Sequence, residues 1–312
     1  MSVVPFKPKG LGPGFRDVSS AVRAGQRGSA AANRLIVVGS GKGGTGKSFI
    51  TANLAVLASL QGRRVVAVDG DLGLANLHLL FGLDPEENLW SLLQPGWSRA
   101  ELRARLVQPG PGGVRLLPGA SGVGRLASLN RGELRRLVHR LEPHLDDSEL
   151  VLIDLSAGLS PPTQLFLRAA REIVIVANPE PSAMLDAYGV IKLLAESDHA
   201  GQIHLVMNRA HNLPEAQRCA QRMVATAREF LGRGVNVLGC VPEDAAVIDS
   251  VHRRRPLVLN CPHSPAASAL RLIAHELVDG ALPPGNTLSA FFSTAKALVA
   301  PRRRSSRSSC AL

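Results

Sequence analysis

The stretch 35–48 places the strongest constraint on how this 312-residue chain can fold. Four apolar residues, Leu35 to Val38, predict a buried strand that runs into a glycine-rich loop. Good helix formers follow from Phe49 to Leu60, and Gly62 lies just beyond them. A strand, a short loop and a helix in direct succession predict the first unit of an α/β fold.

The loop has the spacing of a P-loop, in which a glycine and four residues precede Gly-Lys-Ser. Glycines let successive backbone N–H groups turn towards a phosphate, and the helix N-terminus adds a partial positive charge. The pattern predicts that Lys47 reaches the β- and γ-phosphates of a nucleotide and that Ser48 ligates Mg²⁺. The candidate nucleotide-binding residues of the loop are Gly41, Lys42, Gly43, Gly44, Thr45, Gly46, Lys47 and Ser48.

Acidic residues end two further apolar strands. The strand from Arg64 ends at Asp69, with Asp71 two residues later, and the strand from Glu149 ends at Asp154. Because open parallel sheets bind ligands at their carboxyl edge, these carboxylates are expected beside the P-loop. Asp69 and Asp71 can hold the waters of a metal or position an attacking water, and Asp154 would hold Mg²⁺ through water. Turn-forming aspartates are the alternative for the first pair.

Glycine also follows the second of these acidic strand ends. Gly158 lies where its backbone N–H can donate to a γ-phosphate. Three more apolar strands, at residues 172–177, 202–208 and 235–241, extend the predicted sheet. The fold class is therefore α/β, with a mostly parallel central sheet and helices on both faces in a single domain.

The bulk composition limits the partners. A net charge of +11 and a pI near 10.5 suit a polyanion, either nucleic acid or an anionic membrane. No apolar run approaches the roughly 20 residues of a membrane-spanning helix, and the N-terminal residues lack the apolar core of a signal peptide. Four widely spaced cysteines predict reduced thiols. We therefore expect a cytoplasmic location.

The chain divides into three parts. Residues 1–33 are expected to be a disordered basic arm, residues 34–282 the α/β domain, and residues 283–312 a linker, an amphipathic helix and a basic tail. The apolar stripe of that helix consists of Leu288, Phe291, Phe292, Ala295, Leu298 and Val299. Residues 287–307 suit binding at an anionic membrane interface, and packing of the helix on the core is the alternative.

The position of Lys42 adds a resemblance to a known family. Lys42 directly follows Gly41, and the resulting Lys-Gly-Gly-Thr-Gly-Lys-Ser resembles the deviant Walker A motif of the MinD/ParA ATPases. The resemblance implies an ATP-dependent homodimer in which Lys42 reaches the partner subunit's nucleotide. It also implies that Asp71 is catalytic with Asp69 in support, and that Asp154 and Gly158 form switch II.

The same resemblance extends to the base of the nucleotide. It implies that Asn208, Arg209 and Pro242 contact the base. Guanine-reading proteins need Asn-Lys-x-Asp at such a strand end, whereas this sequence has Asn-Arg-Ala-His at 208–211. ATP is therefore the expected nucleotide, although Asn208 is equally consistent with a strand end.

Several further stretches are most similar to the FlhG/FleN branch, whose members set the number and position of flagella. They are residues 69–76, 117–122, 157–160 and 179–183. The resemblance implies an ATPase that acts as a spatial switch. Two copies of the C-terminal segment in an ATP-bound dimer would bind a membrane much more tightly than one, which predicts membrane binding controlled by the nucleotide. The P-loop and switches offer no arginine finger, which predicts slow hydrolysis without a partner protein. A ParA-like DNA-binding ATPase, for cargo or plasmid partitioning, is the main alternative. A regulatory module with a structural nucleotide is the third.

Overall fold

The computed structural model describes residues 33–120, 129–197 and 199–301. One eight-stranded sheet has the order β3–β4–β2–β5–β1–β6–β7–β8. The strands are β1 Arg34–Gly39, β2 Val65–Gly70, β3 Gln108–Pro109, β4 Arg115–Leu117, β5 Leu150–Leu155, β6 Glu172–Ala177, β7 Gln202–Ala210 and β8 Asn236–Pro242. All neighbours pair in parallel except β3 with β4. The predicted α/β class is thereby confirmed, and the two-residue β3 is an element that the sequence did not indicate.

Helices cover both faces of the sheet. They are α1 Lys47–Leu60, α2 Leu77–Leu80, α3 Arg99–Leu106, α4 Arg131–Leu141, α5 Pro161–Ala169, α6 Pro181–Glu196, α7 Leu213–Leu231, α8 Ala245–His252, α9 Leu257–Asn260, α10 Pro265–Val278 and α11 Leu288–Val299. Every residue of the central strands is buried, and successive side chains enter opposite cores. In β1, for example, Leu35 and Val37 face one core while Ile36 and Val38 face the other.

The register of the central strands places the carboxyl ends of β1, β2 and β5 at the same level of the sheet. Val38 of β1 and Asp69 of β2 both pair with Asp154 of β5. The P-loop leaves β1 at this level, and the acidic residues of β2 and β5 end there too. Neighbouring strand ends therefore bring together residues that are far apart in sequence.

The C-terminal helix α11 begins and ends where its periodicity predicts. Thr287 caps it, because its hydroxyl accepts a hydrogen bond from the Ala290 N–H at 3.1 Å. Five of the six residues of the apolar stripe are buried, Leu298 is half-buried, and the helix packs against α4, α5 and β1. Phe291 stacks on Phe166 of α5 with 6.0 Å between ring centroids, and Phe292 meets Phe291 edge to face at 5.2 Å. In this structure the helix is thus part of the core, which is the alternative that the stripe had left open, and its apolar face is not available to a membrane.

The segment before α11 is also anchored and does not behave as a free linker. The Asn286 amide donates to Glu172 Oε2 at 2.6 Å, and Glu172 is paired with Arg34, whose Nε lies 2.8 Å from the same oxygen. The Leu288 N–H donates to the carbonyl of Asn33 at 2.9 Å. These buried contacts tie residues 286–288 to the amino ends of β1 and β6.

Replacing Phe292 with alanine is expected to lower the free energy of unfolding by about 3–5 kcal/mol, because a fully buried aromatic ring is removed from the core. Denaturant unfolding monitored by circular dichroism measures the change. The neighbouring Ser293 is exposed, so Ser293→Ala should stay within about 0.5 kcal/mol of the parent protein. Equal unfolding midpoints for the two variants would contradict the packed position of α11.

The predicted basic arm and the basic tail after Pro301 lie outside the described residues, apart from Asn33 at the end of the arm. Within the described ranges, every helix is either too short or too polar to cross a bilayer.

Candidate nucleotide site

The P-loop has a backbone that glycine permits. Gly44 and Gly46 adopt φ values of 78° and 89°, the left-handed region that other residues rarely enter. α1 then begins at Lys47, and its first N–H groups point back into the loop. The loop therefore has the shape of an anion cradle at a helix N-terminus.

Helix α6 closes one side of this cradle. A Cβ placed on Gly41 would lie 2.1 Å from the carbonyl carbon of Asp186 and 2.2 Å from its oxygen. Only glycine allows the loop and α6 to approach so closely. The sequence pattern predicted glycine at this position for phosphate binding, whereas the packing of α6 is a reason that only the structure reveals.

Two buried carboxylates lie under the loop. Asp154 Oδ1 accepts a hydrogen bond from the Thr51 hydroxyl at 3.2 Å. Burial raises the pKa of Asp154 to about 6, while the positive charge of Lys47 and the hydroxyls of Ser48 and Thr51 act in the opposite direction. Burial and the neighbouring Asp154 raise the pKa of Asp69 to about 8, against the hydrogen bonds from the Leu77 and Asp71 N–H groups.

This arrangement fits a magnesium ion. Burial raises the pKa of both acids, and the neighbouring Asp154 raises that of Asp69 further, so both would ionise more readily beside a cation. Carboxylate and hydroxyl oxygens are the donors that Mg²⁺ prefers, and Asp154 and Ser48 would hold it. Asp69 already uses both carboxylate oxygens on backbone N–H groups, so a supporting role fits it better than direct ligation.

Asp71 holds the turn that follows β2. Its Oδ1 accepts hydrogen bonds from the N–H groups of Gly73 at 3.2 Å and Leu74 at 3.0 Å. It lies at the same sheet edge as Asp154 and is only partly buried. The turn role and the predicted catalytic role are compatible, since the second carboxylate oxygen makes neither of these bonds.

The backbone N–H of Gly158 has a different hydrogen-bond acceptor from the γ-phosphate expected from the sequence. It donates to the carbonyl of Ser40 at 3.0 Å, so it is directed at the P-loop backbone and not at a γ-phosphate position. The physical reason is that an N–H group in such a packed loop needs an acceptor, and the Ser40 carbonyl is within reach. A φ of 76° shows why glycine is needed here.

Lys42 points away from its own loop. Its Nζ donates to the Ser182 hydroxyl at 3.1 Å and lies 3.6 Å from Glu180 Oε2, while 44% of the side chain remains exposed. Ser182 and Glu180 lie at the start of α6, within the 179–183 stretch that resembles the FlhG/FleN branch, but their contact with Lys42 was not predicted. Lys42 is therefore held at the outer surface of the site.

The predicted base-contacting residues gather around one apolar cavity of about 510 Å³. Asn208, Arg209 and Pro242 line it beside Gly46 of the P-loop. The sequence did not identify the apolar lining residues Phe49, Val247, Ile248 and Val251. Phe49 lies on the predicted helix α1, whereas the other three lie on α8, which had not been predicted and which only tertiary contact brings here.

The amide of Asn208 is engaged by the P-loop. Its Nδ2 donates to the carbonyl of Thr45 at 2.8 Å, and the side chain is almost fully buried. This bond holds the P-loop against β7 and uses one N–H of the amide, while the base contact of Asn208 stays a prediction. Arg209 adopts a φ of 55°, unusual for a non-glycine residue, and its guanidinium lies 3.9 Å from Glu243 at the cavity rim.

The fold and this edge of the sheet define a P-loop nucleotide-binding protein. A model of the CobQ/CobB/MinD/ParA nucleotide-binding domain matches residues 36–257, and the chain belongs to that family.

Two proteins and one solved structure illustrate which known proteins this chain is similar to. The chain is 33% identical over 258 residues to the antiactivator FleN of Pseudomonas aeruginosa, covering 83% of this chain and 91% of FleN. It is 31% identical over 265 residues to the flagellum site-determining protein YlxH of Helicobacter pylori, covering 83% and 88%. The structure of the septum site-determining protein MinD of Pyrococcus horikoshii, complexed with Mg-ADP, is 28% identical with a TM-score of 0.64, covering 79% of this chain and 97% of that one. The resemblance found in the sequence, including its FlhG/FleN branch, is confirmed.

The contribution of Asp69 to the free energy of unfolding, in the protein without nucleotide and metal, is expected to fall as the pH rises from the ordinary aspartate value of 3.8 to about 8. Because folding raises the pKa of Asp69, the folded state binds more protons than the unfolded state in this window. The stability from neutral Asp69 is complete below the window and is lost as the pH passes the folded value. Urea unfolding across this range measures the slope, and Asp69→Asn should flatten it. An unchanged slope in this variant would show that another group titrates.

Proposed function

We propose that this protein is a Mg²⁺-dependent ATPase that acts as a positional switch through ATP-driven dimerisation. The observation that carries the proposal is the combination of a complete P-loop with Lys42 at its outer surface. A lysine that served only its own subunit's phosphates would be directed into the loop. Lys42 contacts Ser182 and Glu180 instead, where a second copy can meet it.

The residues of the site divide the chemistry among them. Lys47 and the loop N–H groups bind the phosphates, and Ser48 and Asp154 would hold Mg²⁺, which would supply positive charge at the transferring phosphoryl group. Asp71 orients the attacking water, and Asp69 supports the turn that carries it. The base enters the cavity beside Asn208, Arg209 and Pro242. The family's nucleotide-binding domain and the Mg-ADP complex of the Pyrococcus horikoshii relative support ATP and Mg²⁺ as the cofactors.

Exposed apolar side chains in the segments beside the P-loop support a dimer. Leu74 after β2, Leu159 after β5 and Leu185 on α6 are 73%, 36% and 70% exposed. All three belong to segments that border the nucleotide edge. Apolar side chains grouped at one edge suit burial by a second copy of the same surface.

Membrane association is the second half of the proposal. Residues 287–307 would bind an anionic membrane only after α11 leaves α4 and α5, since its apolar stripe is buried there. α5 begins at Pro161, three residues after Gly158, and carries Phe166 against Phe291. A shift of the Gly158 N–H towards a γ-phosphate would thus displace α5 and disturb the surface against which α11 packs. Two such helices in one dimer bind far more tightly than one.

The names of the relatives suggest the biological role. An antiactivator and a flagellum site-determining protein align over more than four-fifths of this chain. We therefore propose that the protein regulates the number or placement of flagella or of another cell-surface or division machine. It would work in the cytoplasm, bind the membrane peripherally with ATP, and depend on a partner protein for rapid hydrolysis.

The test combines light scattering with vesicle co-sedimentation for the full chain in ATP and in ADP. We expect dimers and pelleting with phosphatidylglycerol vesicles in ATP alone, and loss of both in Lys42→Ala. Lys192→Ala removes an exposed lysine further along α6 and serves as the matched control. A monomer in ATP, or pelleting that ignores the nucleotide, would overturn the switch.

The high net charge keeps the DNA-binding ATPase as a second candidate. This candidate predicts that the protein binds duplex DNA only in the presence of ATP, and that the affinity falls steeply as the salt concentration rises. Duplex DNA replaces vesicles in the same experiment, and binding of DNA alone would favour this candidate.

A further inference from the structure

The solvent face of α4 carries positive charge along its whole length. Its apolar residues face the core, whereas its exposed side chains are basic: Arg131, Arg135, Arg136, His139 and Arg140. The acidic residue of the helix, Glu133, is buried at the N-terminal cap and not on this face. We call these five exposed residues the α4 basic face.

This charge is not neutralised within the described part of the chain. No described acidic side chain pairs with Arg135, Arg136 or His139. Arg140 donates to the carbonyls of Leu92 and Gln94, both at 3.0 Å, so it keeps its full charge. Together with Gly132, four of the five basic residues line a surface depression of about 590 Å³. A concave surface lined in this way attracts and partly surrounds an anion.

The α4 basic face lies directly beside α11. Arg131 donates to the carbonyls of Leu298 at 2.8 Å and Ala300 at 2.9 Å, at the end of α11. On the other side of that contact, Lys296 of α11 is paired with Glu142, just beyond α4. The exposed residues of α11, Ser289, Ser293 and Ala297, are small and uncharged, so they do not screen the neighbouring arginines.

We propose that the α4 basic face binds the headgroups of anionic phospholipids and orients the protein on the membrane. The inference rests on the proposed membrane association and adds to it a contact that is exposed on the folded domain. Lipid fits this position better than nucleic acid because α4 borders the apolar helix that would enter the interface. Basic side chains can bind the lipid headgroups while an adjacent apolar helix enters the acyl layer of the membrane. A nucleic-acid duplex offers no apolar layer for such a helix.

The test measures partition of the full-length protein in ATP onto vesicles of phosphatidylcholine with and without phosphatidylglycerol. Arg135→Gln/Arg136→Gln removes two charges from the α4 basic face. Each basic side chain near an anionic surface contributes about fivefold in affinity, so binding should fall about 30-fold. Arg218→Gln/Arg222→Gln removes the same charge from exposed positions on α7 and should bind like the parent protein. Thermal unfolding and ATP-dependent dimerisation are measured for all variants and should be unchanged.

Each outcome decides the question. A selective loss in the α4 variant, confined to anionic vesicles and diminished at high salt, supports the proposal. Parent-like binding by the α4 variant overturns it while leaving the membrane function intact. Equal losses in the α4 and α7 variants also overturn it, since the effect is then one of net charge. If the parent protein binds no vesicles, the membrane function itself fails, and a loss of duplex binding in the α4 variant would assign the face to nucleic acid.

Discussion

Replacing Gly41 with alanine is expected to reduce nucleotide affinity by about 100-fold or more. The added Cβ would lie 2.1 Å from a backbone carbon of α6, so either the loop or the helix must move. A displacement of about 1 Å at a positioning element can cost about 100-fold. Equilibrium binding of a fluorescent ATP analogue measures the loss.

Gly189→Ala is the matched control for this experiment. Gly189 lies on the same helix, and a Cβ there meets no atom within 4 Å. Alanine is favoured over glycine inside a helix, so this variant should bind nucleotide normally and unfold at the same or a higher denaturant concentration. Normal binding by Gly41→Ala would show that α6 is not packed against the loop as described.

Replacing Asp71 is expected to reduce ATP hydrolysis by about 10²–10⁴-fold while ATP-driven dimerisation remains. Two variants separate the roles of this residue. Asp71→Asn keeps an oxygen that can accept the Gly73 and Leu74 N–H groups, whereas Asp71→Ala loses the turn contacts too. If Asp71 orients the water, both variants lose hydrolysis, and the asparagine variant keeps the turn. Phosphate release and light scattering in ATP measure the two properties.

Wild-type hydrolysis by Asp71→Asn would remove Asp71 from the chemistry. If Asp71→Ala hydrolysed ATP slowly while Asp71→Asn hydrolysed it at the wild-type rate, Asp71 would have only a structural role in the turn. Loss of dimerisation in both variants would instead place the carboxylate in nucleotide binding or at the subunit interface.

Local patterns in the sequence predicted most of the fold. The buried strands are continuous apolar runs, and their length separates them from the helices. Ser264 and Thr287 are residue types that favour helix N-caps, and their hydroxyls accept the N–H hydrogen bonds at the starts of α10 and α11. α7 and α8 were not predicted, and the paired edge strand β3 has only two residues, too few to produce a periodic signal.

The sequence by itself determined the P-loop, the acidic strand ends and the α/β class, because each of these depends on residues that are neighbours in the chain. Tertiary structure decided what the same residues contact. The Gly158 N–H donates to Ser40, the Asn208 amide to Thr45, and the stripe of α11 packs against α4 and α5. Each of these contacts joins segments far apart in the chain, and a polar or apolar group is satisfied by whichever partner the fold brings near. Periodicity shows that a face will be buried, but only the packed molecule shows what buries it.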